Sequence, residues 1–284
     1  MSGDKYRVLH KLRTGLLYFF LIGFLILVLY PVFYSLVASF KTSGETLAGL
    51  KFWPEKWQWK NYVEAWDKAN FSTYTLNTVF YAGATMFFCV LSDSLCGYVF
   101  ARGEFPGRKL IFTVKTAMMF LALGSATMYP QLQILNKIHL NKSLWGLVLV
   151  AACTGSVPYI FMVRAFILSL PKEMDEAATI DGCSFLGIFF RITLPMIRPI
   201  IATIAVLSFK GAWNDYLFPM IVTFSRPEHR TLAVGLYYMS STTVSANWAL
   251  MLPGAVIAAA PLIVIYIFLN KYFVESLTAG AVKG

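Results

Sequence analysis

An all-α protein that crosses a membrane six times is what this sequence predicts, and three observations predict it. Hydrophobic residues make up 58% of the 284 and charged residues only 13%, against about 45–50% and 25% in a soluble globular domain. The apolar residues gather into six runs, each long enough to span a hydrocarbon core that needs about 20 helical residues. The basic residues behind the formal charge of +10 sort between alternate connecting segments, as the preference for Lys and Arg on the inner side of a membrane requires. A nucleic-acid partner is not expected from that charge, because no basic face of useful length exists.

The elements follow in order. Residues 1–14 form a tail with Lys5, Arg7, Lys11 and Arg13. The first span runs from Gly15 to about Phe40, with Pro31 expected to kink it near its outer end. It is far longer than the apolar core of a secretion signal and lacks a small-residue cleavage site after it, so it reads as a retained span. Thr42 to Tyr74 is too charged to span, and its Trp53, Trp57, Trp59 and Trp66 suit a membrane interface, where an indole is half wet. The second span runs from about Thr75 to Ala101 and ends at a basic turn, Arg102, Arg108 and Lys109 around Pro106-Gly107. The third runs from about Leu110 to Tyr129 and is expected to stop at Pro130; the fourth runs from about Ser143 to Leu168 with Pro158 inside it. After the segment Leu170 to Pro199 comes the fifth, from about Ile200 to Phe224, then a polar outer loop to Asn247. The sixth runs from about Ala249 to Phe273, so residues 15–273 form one membrane domain and 274–284 a second tail.

Six crossings put both termini on one side. The tails and inner segments, with Arg164 and Lys271 at the inner ends of their spans, then hold thirteen Lys and Arg against nine in the outer loops with Lys41, five of the nine in the long first loop. Both termini are therefore expected in the cytoplasm. Cys89, Cys96 and Cys153 fall inside apolar runs, and with Cys183 they show no metal or redox spacing, so they read as small packing residues. No phosphate-binding loop is present, since no Gly-Lys pair occurs, and His10, His139 and His229 are scattered in tails and loops. Neither catalytic nor metal-binding residues are expected. Energy for transport has to come from an ion gradient or from another polypeptide.

The segment Leu170 to Pro199 is longer than a connection needs and is shaped as a docking surface. Pro171 suits the start of a helix, because the N–H it lacks would be unbonded there. Glu173, Asp175 and Glu176 place negative charge in the first turns, where the helix dipole favours it. Ala177 and Ala178 are small enough for a partner to approach the backbone, and Gly182 after Asp181 marks a left-handed helix stop. A second helix, about Ser184 to Ile192, brings Phe185, Ile188, Phe189 and Ile192 to one apolar face, and Pro195 and Pro199 end it and restart the chain. The pattern alone also allows an amphipathic helix lying on the membrane, although three acids in the first turns disfavour contact with anionic lipid.

Glu176-Ala-Ala to Gly182, followed by Ile192-x-Leu-Pro195, resembles the signature of membrane subunits of binding-protein-dependent ATP-binding-cassette importers. Trp213-Asn214-Asp215 with Pro219 beyond, the turn Arg102 to Lys109, and the closing Leu277 to Gly284 resemble the carbohydrate branch, the MalG-like permeases of maltose systems. The resemblance runs from about residue 15 to the end. It implies a type I importer permease fold in a bacterial-type cell membrane, forming half of a pore with a second, homologous permease subunit. It further implies a cytoplasmic ATPase dimer that binds the ATP and Mg, an extracytoplasmic solute-binding protein, a sugar cargo, and no cofactor on this chain. The helix carrying Glu176, Ala177, Ala178, Asp181 and Gly182, with Pro195 after it, would dock on the ATPase, and Thr278, Gly280 and Lys283 of the tail would reach toward it. The outer loop near Ser240 to Asn247 would meet the binding protein. Ser276 stands where the family usually has Gly, which bears on the path of the tail.

Three ionisable groups lie at membrane depth: Asp93, Lys210 and Asp215. Lys210 is about 18 Å along the helix from Arg198 at 1.5 Å per residue, and Asn214 follows on the same face. Two readings stay open. Lys210 pairs internally with Asp93 or Asp215, or Lys210, Trp213, Asn214 and Asp215 line the transport pathway and the lysine marks an acidic oligosaccharide. Tyr237, Tyr238 and Trp248 are expected to anchor the chain at the interface rather than to stack on sugars. The runner-up function is an ion-gradient-driven secondary transporter, which needs midplane acids and repeated broken helices.

Overall fold

A computed structural model describes residues 2–49, 51–68, 70–120, 124–241 and 247–281. In chain order the helices are α1 (Ser2–Ala38), α2 (Ser43–Ala48), α3 (Lys60–Lys68), α4 (Phe71–Arg102), α5 (Arg108–Ala117), α6 (Met128–Lys137), α7 (Leu144–Thr154) and α8 (Val157–Leu168). They continue as α9 (Glu173–Ile180), α10 (Phe185–Ile188), α11 (Leu194–Met196), α12 (Arg198–Asn214), α13 (Leu217–Val222), α14 (Leu232–Ser241) and α15 (Trp248–Ala281). No strand occurs among the described residues. His10–Ala38, Phe71–Arg102 and Trp248–Ile267 are each long and apolar enough to cross a membrane, and counting three bent helix pairs as one span each gives six.

The chain divides into two compact units, one of residues 1–69 with 238–259 and one of 70–237 with 260–284. In the first, α1 exposes large apolar side chains such as Phe19, Phe20, Phe24 and Leu27 all round its surface, as a helix does that faces lipid or another chain. Pro31 lies inside it. The tryptophans of the following loop do not stand singly. Trp57 and Trp59 pack edge-on against the buried Phe40 with ring centroids 5.0 and 4.7 Å away, and Trp53 meets Phe33 and Phe52. Thr42 and Glu45 cap α2 reciprocally. Ser43 Oγ donates to Asn247 Oδ1 at 3.0 Å and accepts from the Ala249 amide at 3.2 Å.

The second unit is assembled around α4, against which α7, α8 and α12 pack. The residues α4 buries, from Phe71 through Tyr74, Thr78, Tyr81, Thr85 and Cys89 to Tyr98 and Ala101, recur at three- and four-residue intervals, the period of a helix face. At Gly97 the approach of α8 is close enough that a Cβ would lie 2.6 Å from Val163 Cγ1. At the other end of α4, Asn77 Nδ2 donates to the carbonyls of Glu228 (2.8 Å) and Arg230 (2.9 Å), and Thr78 Oγ1 accepts the Leu232 amide at 2.8 Å.

Three expected continuous spans are broken. The third ends as α5 at Ala117, with short 3₁₀ turns at Met118–Phe120 and Gly124–Thr127 before α6; Gly124, Ser125 and Thr127 are the polar or helix-weakening residues at the place. Pro130 does not stop a helix but sits in the first turn of α6, where a missing N–H costs nothing. The fourth turns through 46° between α7 and α8. Gly155 supplies the positive φ of +61° at the break, and Pro158 stands in the first turn of α8. The fifth leaves the helix at Asp215, extended at φ −69° and ψ 126°, before α13. Pro195 also differs from expectation, lying within the helical stretch Phe185–Met196. A proline ring crowds the carbonyl four residues back, and the backbone accommodates it with a wide π turn over Phe189–Thr193. The stretch then meets α12 at 84°, with Pro199 in the first turn of α12.

Candidate functional site

The site is built on α9. Its inner side carries Met174 and Asp175, half-buried, and Ala178, 4% exposed. Its outer side carries Glu173, Glu176, Ala177 and Ile180, all exposed, at spacings of three and four that place them on one face. Ala178 is therefore packed inward and not offered to a partner, contrary to expectation, because it falls one position round the helix from Ala177. Ile180 is the residue that sequence reading missed. It is 87% exposed, and its spacing from Glu176 and Ala177 was the available signal.

The helix ends as expected. Gly182 takes φ +81°, the Cys183 amide donates to Ala178 O at 2.9 Å and the Gly182 amide to Thr179 O at 3.0 Å. This closing pair of bonds satisfies the last carbonyls and needs a left-handed residue. Nothing lies within 4 Å of a Cβ added at Gly182, so only the backbone conformation requires glycine there. Gly182→Val is expected to misdirect the chain into α10 and to lower transport while membrane insertion persists, as uptake and membrane-fraction yield would report.

What fixes α9 to the rest of the unit is an ion pair that sequence reading also missed. Arg102 Nε lies 2.6 Å from Asp175 Oδ2, with side chains 8% and 22% exposed, and Arg102 Nη2 donates to Leu170 O at 2.8 Å. Beside it, the Tyr98 ring packs at a tilt against Phe185 (4.6 Å) and Phe189 (5.1 Å), and its hydroxyl donates to Phe185 O at 3.3 Å. Tyr98 and Phe189 belong to a core with Val163, Ile167, Ile197, Ile200 and Ile204. The expected apolar face of the second helix is thus largely interior: Ile188 and Phe189 are buried, while Phe185 is partly covered by Tyr98. Between the end of α4 and the α9–α10 segment lies an open cleft of about 530 Å³, lined by Arg102, Glu104, Arg108 and Lys172 on its basic and acidic sides and by Glu176, Thr179 and Ile180 of α9.

The residues expected at the pathway separate into two groups. Lys210 and Asn214 are exposed, and Asn214 Nδ2 donates to Lys210 O at 2.9 Å. Trp213 is 3% exposed and stacks on Phe209 at 5.5 Å, so it packs inward. Asp215 is occupied at the helix break, accepting from Tyr81 OH at 3.1 Å and from the Leu217 and Phe218 amides. Neither expected partner meets Lys210. Asp93 is buried and its Oδ1 accepts the Ser156 amide at 3.0 Å, bridging the break between α7 and α8, where Lys115 Nζ also donates to Thr154 O at 3.2 Å. No described ion pair includes Lys210, Asp93 or Asp215. Thr278 and Gly280 lie within α15. Lys283 falls outside the described residues, as does most of the loop expected to meet a binding protein.

Residues 19–278 match the family described as "Binding-protein-dependent transport system inner membrane component". The chain belongs to that family. Among its relatives is the probable ABC transporter permease protein YurM of Bacillus subtilis (strain 168), 32% identical over 272 residues that cover 93% of this permease and 87% of YurM. Another is the arabinooligosaccharides transport system permease protein AraQ of the same organism, 32% identical over 276 residues covering 96% of each chain. The fold matches a chain in the crystal structure of a bacterial ABC transporter involved in the import of the acidic polysaccharide alginate, with a TM-score of 0.78, 20% identity, and coverage of 96% of the permease and 99% of that chain. The permease is thus a multi-pass, all-α transport subunit and not an enzyme on its own. Its α9 carries Glu176, Ala177 and Ala178 of the motif read in the sequence, and the Arg102–Asp175 pair holds it against the end of α4.

Proposed function

We propose that this permease forms half of the pore of an ATP-driven importer of oligosaccharides, with its termini in the cytoplasm and α9 docked on a cytoplasmic ATPase. The observation that carries this reading is the outward face of α9. Glu173, Glu176 and Ala177 present charge and a small side chain, and Ile180 presents apolar surface, on a helix pinned to α4 by Arg102 and Asp175. An isoleucine that exposed beside two carboxylates suits a protein groove with a basic rim better than lipid or water. The sugar named for AraQ supports an oligosaccharide cargo. ATP and Mg would be held by the ATPase, a second, related permease would complete the pore, and an extracytoplasmic binding protein would deliver the sugar. Closure of the ATPase dimer would draw the docked helices together, and α4, joined to α9 at one end, would carry that movement into the packed spans.

The test is reconstitution of the permease with its partner permease, ATPase and binding protein in proteoliposomes. Sugar-loaded binding protein is expected to stimulate ATP hydrolysis and ATP-dependent uptake. Glu176→Lys is expected to reduce both by more than about tenfold, since losing a buried interfacial charge pair commonly costs several kcal/mol, while the protein still inserts. Uptake that persisted without ATP and collapsed with an ionophore would instead establish an ion-gradient-driven carrier.

A further inference from the structure

Lys210 stands about 18 Å along α12 from Arg198 at 1.5 Å per residue, close to the middle of a hydrocarbon core about 30 Å thick. It is exposed, as are Gly211 beside it and Asn214 one turn on. Nothing lies within 4 Å of a Cβ added at Gly211, so among the described residues no side chain covers that stretch of the helix. The opposite side of α12 buries Ile200, Ile204, Ser208 and Ala212 in the unit. An ammonium group directed into hydrocarbon is costly, and such groups face a partner, a cavity or a cargo. The two acids expected to pair with it are engaged elsewhere: Asp93 at the α7–α8 break, and Asp215 with Tyr81 and two amides. Among the described residues no ion pair includes Lys210, which leaves its positive charge available to a group outside them.

Two residues past Asn214, beyond the helix break, Tyr216 is exposed and stacks on the exposed Tyr237, with centroids 5.8 Å apart and planes at 26°. A stacked aromatic pair offers a flat apolar surface of the kind the C–H face of a pyranose covers. Lys210, Asn214 and Tyr216 thus follow one another at the C-terminal end of α12 and just past it, and α14 brings Tyr237 against Tyr216.

We propose that Lys210, Asn214, Tyr216 and Tyr237 form a cargo subsite that selects anionic sugars, in which the Lys210 ammonium pairs with the carboxylate of a uronic-acid unit. The inference rests on the importer reading above and goes beyond it by assigning the charge of the cargo. Asn214 hydrogen-bonds ring hydroxyls, and the tyrosine pair takes a sugar ring. Charge-assisted pairing in a site shielded from water is strong enough to discriminate, whereas a neutral oligosaccharide would leave the lysine unpaired.

The experiment uses the reconstituted complex with its binding protein, and two probes: a uronic-acid trisaccharide and the same trisaccharide with its carboxyls reduced to alcohols. Wild type is expected to take up the acidic probe in an ATP-dependent manner. Lys210→Met is expected to reduce that uptake at least about tenfold and to lose the preference for the acidic over the neutral probe, and Lys210→Arg to retain most of both. The proposal is overturned if wild type transports only the neutral probe or neither, or if Lys210→Met transports both as wild type does. It is also overturned if Lys210→Met loses both probes together with the partner permease on co-purification, which would assign the lysine to an acid of that subunit. Uptake driven by an ion gradient and indifferent to ATP would instead refute the importer reading, an outcome distinguished by omitting ATP.

Discussion

Arg102→Ala is expected to uncouple ATP hydrolysis from transport while leaving the spans inserted. The substitution removes the partner of Asp175 and the donor to Leu170 O in one step. Asp175, 22% exposed, is left with a desolvated carboxylate, and such orphaned groups cost about 1–3 kcal/mol. That penalty falls on the seating of α9 rather than on the packing of α4, α8 and α12. The expected readout is therefore local: faster hydrogen exchange in residues 171–182 and a loss of sugar-stimulated hydrolysis, with near-normal thermal unfolding of the whole. Asp175→Ala should resemble it, and the double variant should be less than additive, with a coupling energy in the range of about 0.5–3 kcal/mol seen for residues in contact. Additive effects, or unchanged exchange in α9, would show that the pair does not seat the helix.

Gly97→Leu is expected to prevent the second unit from assembling, with a severe loss of folded protein. Even an alanine would set its Cβ 2.6 Å from Val163 Cγ1, 2.7 Å from Val163 Cβ and 3.2 Å from the Arg164 amide nitrogen. Val163 is fully buried and β-branched, so it has no rotamer to retreat into. Overpacking of this kind costs about 1–3 kcal/mol for small additions, and a leucine would have to separate α4 from α8 outright. Tyr98 is the next residue, so the separation would also open the core behind α10. Gly83→Ala is the control, since nothing lies within 4 Å of its added Cβ, and it should match or slightly exceed wild type because alanine is the better helix former. Tryptophan fluorescence melts in detergent and the yield of monodisperse protein would check both.

The features legible in the sequence were those decided locally. Hydropathy located the three long apolar helices α1, α4 and α15, and the acids of the first turn with Gly182 located α9. The breaks at Gly155 and Asp215 were not legible as breaks, because each is completed by a residue far away in the chain: Asp93 bonds the Ser156 amide and Tyr81 bonds Asp215. Side-chain direction was lost for the same reason. Ala177 and Ala178 look equivalent in sequence, as do Trp213 and Asn214, and packing against neighbours turns one of each pair inward. Arg102 read as one more basic residue at the end of a span, and only the fold brings Asp175 to it.

The unbroken course of α4 has a mechanical consequence. Asn77 and Arg102 lie about 37 Å apart on one helix at 1.5 Å per residue, with no proline between them. One end is clamped to α9 through Asp175, the other to the 228–230 turn through two carbonyls. A rod clamped at both ends works in either direction: a load applied at one end is felt at the other without delay or slack. On the docking proposed for α9, movement imposed at the Arg102 end would reach the 228–230 turn through α4, and movement of that turn would reach α9 by the same path.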